Sequence, residues 1–439
     1  MRHLLLPLPL LALLASGCER MPEDPVFLYG RLLKADGSPH AGGPLRVERA
    51  LNEQYVNGVH DPEAEWAFEP YSEGASQGSG DFTLEVISGD AFTENDYLYA
   101  EHRFRVYPPL DEEGNGVSVA FFFQDDVELP TLRPWASGLT VSSGPQGPTL
   151  SFAPAPPAVE IPAAAKLSER YDPETENTFL IPPSTPEPVL QLHEGAELVW
   201  QQAKAASPWV PSPYVLEDFR GVEAQVRAYS AGQWYFEPLG AQSSNVSFRL
   251  EWRSPRLALP SGTLRPVSRG AGCNVPPVDG ACPFTDGKLS RQETAPGSQQ
   301  PGPETPEGFG VEAVSFSLPA PARPRRLVVR ALETTLGYLP RLRLVLEGSI
   351  DAVDWSPLGE FPIVLFDESE RDHIYDYPLM DSHEDSPFDG PLEVFNPPLF
   401  LDLPLTGETT VRHVRLRVTA PDGSSPGRLW KMAELSLFE

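Results

Sequence analysis

RLRLVLEGSIDAVDWSPLGEF, residues 341–361, reads as one strand, a break and the start of another. Leu342, Leu344 and Leu346 alternate with Arg341, Arg343, Val345 and Glu347. A period of two belongs to a strand with one face in a core and the other toward water. The pattern breaks at Ser349-Ile350-Asp351 and resumes after Trp355. Clean alternation returns in RRLVVRALETT (325–335), LFLDLPL (399–405), TVRHVRLRVTAPDG (410–423) and the terminal MAELSLFE (432–439). This succession of strands predicts a two-layer jelly roll over residues 261–439.

The same signal extends upstream. VFLYGRLL (26–33) and PLRVERAL (44–51) alternate on either side of a turn at Asp36-Gly37-Ser38-Pro39, and GSGDFTLEVISGD (78–90) repeats turn and strand. Residues 26–135 therefore read as a β-sandwich, with the Glu/Gly/Ser-rich stretch from Leu51 to Gly78 as a long insertion. Between the two blocks, residues 136–260 hold further strand-like runs around the proline-rich FAPAPPAVEIPAAAK (152–166). They read as a second sandwich of the immunoglobulin or fibronectin type. The 439 residues include 51 prolines and 35 glycines, which disfavour long helices. The expected fold class is thus all-β: tandem β-sandwiches ending in a jelly roll.

Two stretches carry family resemblances. Gly30, Asp36-Gly37, Pro39, Ala41-Gly42 and Gly80-Asp81-Phe82 follow the order of the carboxypeptidase regulatory-like (transthyretin-like) sandwich, which this block resembles. Such domains are spacers or stabilisers, and no catalytic residue travels with the motif. In the last block, Ser349, Asp351 and Trp355, then Arg412-His413-Val414-Arg415-Leu416, then Ala433-Glu434-Leu435 follow the discoidin (coagulation factor 5/8 C-terminal) pattern. That block resembles this galactose-binding-like family, with CPFTDGKLSR (282–291) as its early Asp-Gly loop.

The discoidin resemblance implies a calcium site where the early loop and the late glutamate approach each other. The matching ligands are the Asp286 and Glu434 carboxylates with the Lys288 carbonyl, in keeping with the all-oxygen shell that a hard cation takes. The bland alternative is that Asp286 shapes a turn and Glu434 accepts from nearby backbone N–H groups. A second acidic stretch, residues 366–389, contains His373, Asp381, His383, Glu384 and Asp385, but no HExxH or EF-hand spacing, and reads as a solvated insertion. Trp200, Trp209, Trp234, Tyr235, Phe236 and Trp252 offer either a sugar-stacking platform or core filling, and sandwich cores favour the second.

At the other end, Leu4 to Leu14 is an apolar run of signal-peptide size, too short for a bilayer core of about twenty residues. Ala15-Ser16-Gly17-Cys18 after it resembles the bacterial lipobox. The resemblance implies cleavage before Cys18, lipid on that cysteine, and a polar tether over 18–25. The remaining cysteines, Cys273 and Cys282, flank a Pro/Gly loop and are expected to bridge in an oxidising compartment. A metal site is the alternative, weakened by the lack of clustered histidines.

A formal charge of −29 argues against a nucleic-acid partner, since phosphate binding needs a basic face. No nucleophile elbow or phosphate-cradling loop occurs, and no enzyme is expected. The sequence therefore reads as a binding lipoprotein of the bacterial cell envelope, on the outer membrane. Carbohydrate is the expected ligand of the C-terminal domain, and an envelope protein partner or a structural role is the alternative.

Overall fold

The computed structural model describes residues 21–439 except 22, 51–54, 57–58, 61–67, 91, 96–97, 102, 145–146, 168, 173–176, 196, 203–204, 237–243, 275–280, 288–312, 332–340, 365–398 and 423–431. The protein is all-β: strands dominate, with a single helical turn at Pro213–Leu216 and a 3-10 turn at Ser88–Asp90 among the described residues. The chain forms two compact units.

The first unit takes the chain up to 136 together with 157–186 and 229–252. Pro25–Arg31 lies between Asp81–Ile87, antiparallel, and Val127–Glu128, parallel. Val26 opposes Val86 and Leu28 opposes Leu84, and all four side chains are buried. Gly30 opposes Phe82 because a Cβ there would sit 2.3 Å from the phenyl ring. A second sheet runs Ser244–Arg253, Gly116–Gln124, Arg103–Tyr107, Pro44–Ala50, Glu69–Ala75. Val246, Phe248, Phe121, Phe104, Val106, Leu45 and Val47 bury one face of it. Glu69–Ala75 falls inside the stretch read as an insertion, yet it pairs with Pro44–Ala50 as the edge strand. An edge strand needs only one paired side and little apolar character, so EPYSEGA carries no alternation to find.

The second unit takes residues 137–156, 187–228 and 253–439. The segment 136–260 thus contributes to both units, 137–156, 187–228 and 253–260 to this one and 136, 157–186 and 229–252 to the other. The strand Val222–Phe236 is long enough to serve each in turn. In the C-terminal part, Gly272–Cys273, Ala313–Ala322, Val411–Thr419, Arg341–Ser349 and Ser356–Val364 form a five-stranded antiparallel sheet. Leu399–Pro404, Arg326–Ala331 and Met432–Phe438 form a three-stranded one. Leu344, Leu346, Leu416, Val418, Val329 and Leu435 meet in one buried cluster. Full burial of each such side chain contributes about 1.5–3 kcal/mol before entropy is subtracted. Cys273 and Cys282 are joined by a disulfide.

Candidate functional site

Alternation decides which side chains of the five-stranded sheet reach water. Val414, Leu416 and Val418 point inward, so His413, Arg415 and Arg417 lie on the opposite face. Register places Ser315, Arg415 and Glu347 in one cross-strand row, with Ser317, His413 and Ser349 in the next. Arg415 donates to Glu347 Oε2 through Nε (2.9 Å), and its Nη2 lies 2.8 Å from the same oxygen. Arg417 donates to Glu347 Oε2 through Nε (3.1 Å) and to Oε1 through Nη2 (3.3 Å). One carboxylate therefore serves two guanidinium groups. Ser317 Oγ and His413 Nδ1 lie 2.9 Å apart on the same face.

The S-x-D-x-x-x-W motif builds the loop beside this row. Ser349 Oγ accepts from the N–H of Ala352 (2.9 Å) and donates to Asp351 Oδ1 (2.9 Å). Asp351 Oδ1 also accepts from the N–H groups of Val353 (2.9 Å) and Asp354 (3.0 Å). These backbone bonds hold the Asp351 carboxyl below its ordinary range. The tied loop turns Ile350 and Val353 to solvent, 55% and 76% exposed. It also delivers partly exposed Trp355 under Arg415, whose guanidinium carbon lies 4.4 Å from the ring centre.

A second polar cluster is buried. Glu217 follows the turn Pro213–Leu216 with φ 46°, and its side chain is fully enclosed. It accepts from Arg330 and Arg269, and from Ser436 Oγ at 2.5 Å. Arg330, 1% exposed, also donates to the carbonyls of Val215 (3.2 Å), Tyr214 (3.4 Å) and Val199 (3.4 Å).

Glu434 lies at the edge of this cluster, and its Oε2 accepts from Gly287 N–H at 2.8 Å. Burial, and then the Glu217 carboxylate, push its carboxyl up to about 8. The structure thus brings the Asp286-Gly287 turn and Glu434 together. Lys288 lies outside the described residues. Glu434 Oε1 is buried with no hydrogen-bond partner. That oxygen fits the charged member of a hard-cation shell, and it fits the proton of a neutral carboxyl equally well. No three His, Cys, Asp or Glu side chains converge as a metal group among the described residues.

The remaining sequence-derived candidates divide as follows. Trp234, Trp252 and Trp200 are buried, the first two donating their indole N–H to the carbonyls of Glu128 and Arg133 at 2.9 Å. Trp209 stacks on Trp200 with centroids 4.7 Å apart. Trp200, Trp234 and Trp252 fill cores, Trp209, Tyr235 and Phe236 are half-buried, and the aromatic beside the exposed polar row is Trp355. Cys18 and the acidic stretch 366–389 lie outside the described residues. His193, buried and without a hydrogen-bond partner on either ring nitrogen, was not suggested by any motif. Burial, with Arg256 and Arg227 nearby, lowers it to about 4.

No protein-family model matches the chain, and no curated protein is similar to it. Among solved structures, it is similar to the C-terminal domain of a chitobiase from Bacteroides fragilis. That match has 17% identity and a TM-score of 0.18, covering 28% of this chain and 60% of that one. Another similarity is to a variant of the shaft pilin SpaA from Lactobacillus rhamnosus GG. There the identity is 9% and the TM-score 0.19, covering 55% of this chain and all of that one. Both likenesses are too distant to carry function.

Proposed function

We propose that the protein is a non-catalytic binding lipoprotein of the bacterial cell envelope, anchored through lipid on Cys18 and recognising carbohydrate through its C-terminal discoidin-like domain. What supports the carbohydrate reading is the exposed row Trp355, Arg415, Glu347, Arg417, His413 and Ser317. Sugars are held by stacking on an indole and by charged or hydroxyl groups that match their own hydroxyls. In the same reading calcium is held by Asp286, Glu434 and the Lys288 carbonyl, and serves structure only.

The test is a glycan panel on the full-length chain with Cys18→Ser, with calcium and with chelator. The whole chain is needed because Glu217, the partner of Arg269 and Arg330, lies outside 261–439. Selective binding lost in Trp355→Ala supports the reading, and a folded protein that binds no glycan overturns it. Fractionation tests the anchor: Cys18→Ser should move the protein from membrane to soluble fraction, and persistent membrane association sinks that part. A second reading, an envelope protein partner, is favoured by exposed Ile350 and Val353 on the tied loop. Loss of a partner's affinity in Val353→Ser, with glycans unbound, would select it.

A further inference from the structure

Glu347 is 16% exposed at its side chain, whereas the two guanidiniums it serves stand further out, 33% exposed at Arg415 and 44% at Arg417. Two cations and one carboxylate meet here, and the positive groups are the ones that water sees more of. Arg343 and Glu360, in the neighbouring strand pair, neutralise each other. The Asp351 carboxylate, beyond Ser349, is turned onto the backbone of its own loop. Each arginine has five N–H donors and uses two on Glu347.

We infer that this sheet face takes an acidic glycan, with a sugar carboxylate bound by the N–H groups of Arg415 and Arg417 that Glu347 does not engage, and a sugar ring against Trp355. The inference rests on the carbohydrate reading above and narrows it to uronate-bearing saccharides. A guanidinium pairs well with a carboxylate because its fork of N–H groups matches two oxygens. Trp355 under Arg415 holds one fork in place, which lowers the entropy lost on binding. The chain as a whole carries −29, so a distant anion is repelled. At physiological salt that field is screened within about 8 Å, and the local pair of cations decides the contact.

The experiment titrates full-length protein (Cys18→Ser) with polygalacturonate, its methyl ester and dextran, in wild type, Arg417→Gln and Arg415→Gln. Binding of polygalacturonate, weaker by at least tenfold for the methyl ester and in Arg417→Gln, supports the site. Arg417 does not touch Trp355 in the way Arg415 does, so Arg417→Gln keeps the test informative if Arg415→Gln unfolds. Polygalacturonate binding indifferent to both substitutions, or equal binding of the methyl ester, overturns it. Dextran binding without polygalacturonate binding overturns the acidic ligand and leaves the carbohydrate reading standing. If none of the three binds, a wider glycan panel on the same folded protein decides the broader reading, and the acidic-glycan site is already lost.

Discussion

Arg330, on the central strand of the three-stranded sheet, donates to the Glu217 carboxylate 113 residues earlier in the chain, and both side chains are excluded from water. Such a pair is costly to assemble, because two charges leave water. It is costlier to break, because one of them would stay buried alone.

Glu217→Ala should therefore destabilise the protein by about 3–5 kcal/mol, the range for stranding one partner of a buried pair. It strands two, since Arg269 bonds the same carboxylate. Urea unfolding would show it as a fall in midpoint. A change below about 1 kcal/mol would mean that the pair contributes no more than a surface bridge.

The fragment 261–439 should unfold less cooperatively than the whole chain, for the same reason. It keeps Arg269, Arg330 and Glu434 but loses Glu217 and the carbonyls of Val199, Tyr214 and Val215. A sharp calorimetric transition from the isolated fragment, at the full chain's temperature, would contradict this.

Glu434 gives a pH dependence with a definite sign. Its folded pKa lies at about 8, above the ordinary 4.5, so the folded state holds the proton more tightly. The stability this contributes is full below pH 4.5 and is lost as pH rises through 8. Glu434→Gln should flatten the stability profile between pH 5 and 8. Calcium, if it binds Glu434 Oε1, should displace that proton and raise Tm most at the alkaline end. A calcium effect equal in wild type and Glu434→Gln would place the ion elsewhere.

His193 acts in the opposite direction. Its folded pKa of about 4 lies below the ordinary 6.5, so the unfolded chain takes up the proton first. Stability is full above pH 6.5 and falls as pH drops toward 4. His193→Leu should remove that acid limb in urea unfolding at successive pH values. An unchanged limb would assign it to carboxylates instead.

Gly262 is a steric test of the same region. A Cβ at this position would lie 2.1 Å from the carbonyl oxygen of Glu217. Gly262→Ala should cost about 1–3 kcal/mol, the range for overpacking, and should weaken the Glu217 cluster with it. A neutral result in thermal unfolding would show that the 213–217 turn can shift freely.

Much of the strand content was legible because alternation survives wherever a sheet has one wet face. Val414, Leu416 and Val418 declare their burial, and by the same period Arg415 and Arg417 declare their exposure. The turn Asp36-Gly37-Ser38 was legible for a local reason: Asp36 Oδ1 accepts from Ser38 N–H at 2.8 Å and Gly37 takes φ 86°. Glu69–Ala75 was not, since an edge strand can be polar throughout. Nor was the sharing of residues 136–260 between two units, which depends on where one long strand is used.

The sequence by itself determined the all-β class and the inward and outward faces of the strands. These follow from period and local turn chemistry, which neighbouring residues carry. The approach of Asp286-Gly287 to Glu434, 147 residues apart, was an expectation from the discoidin resemblance alone. Only the tertiary structure decided that Glu217 closes on Arg330 and Arg269, and that Glu347 serves Arg415 and Arg417 beside Trp355. A buried charge finds its partner wherever the packed chain brings one within reach, and no periodicity records a pairing across 113 residues.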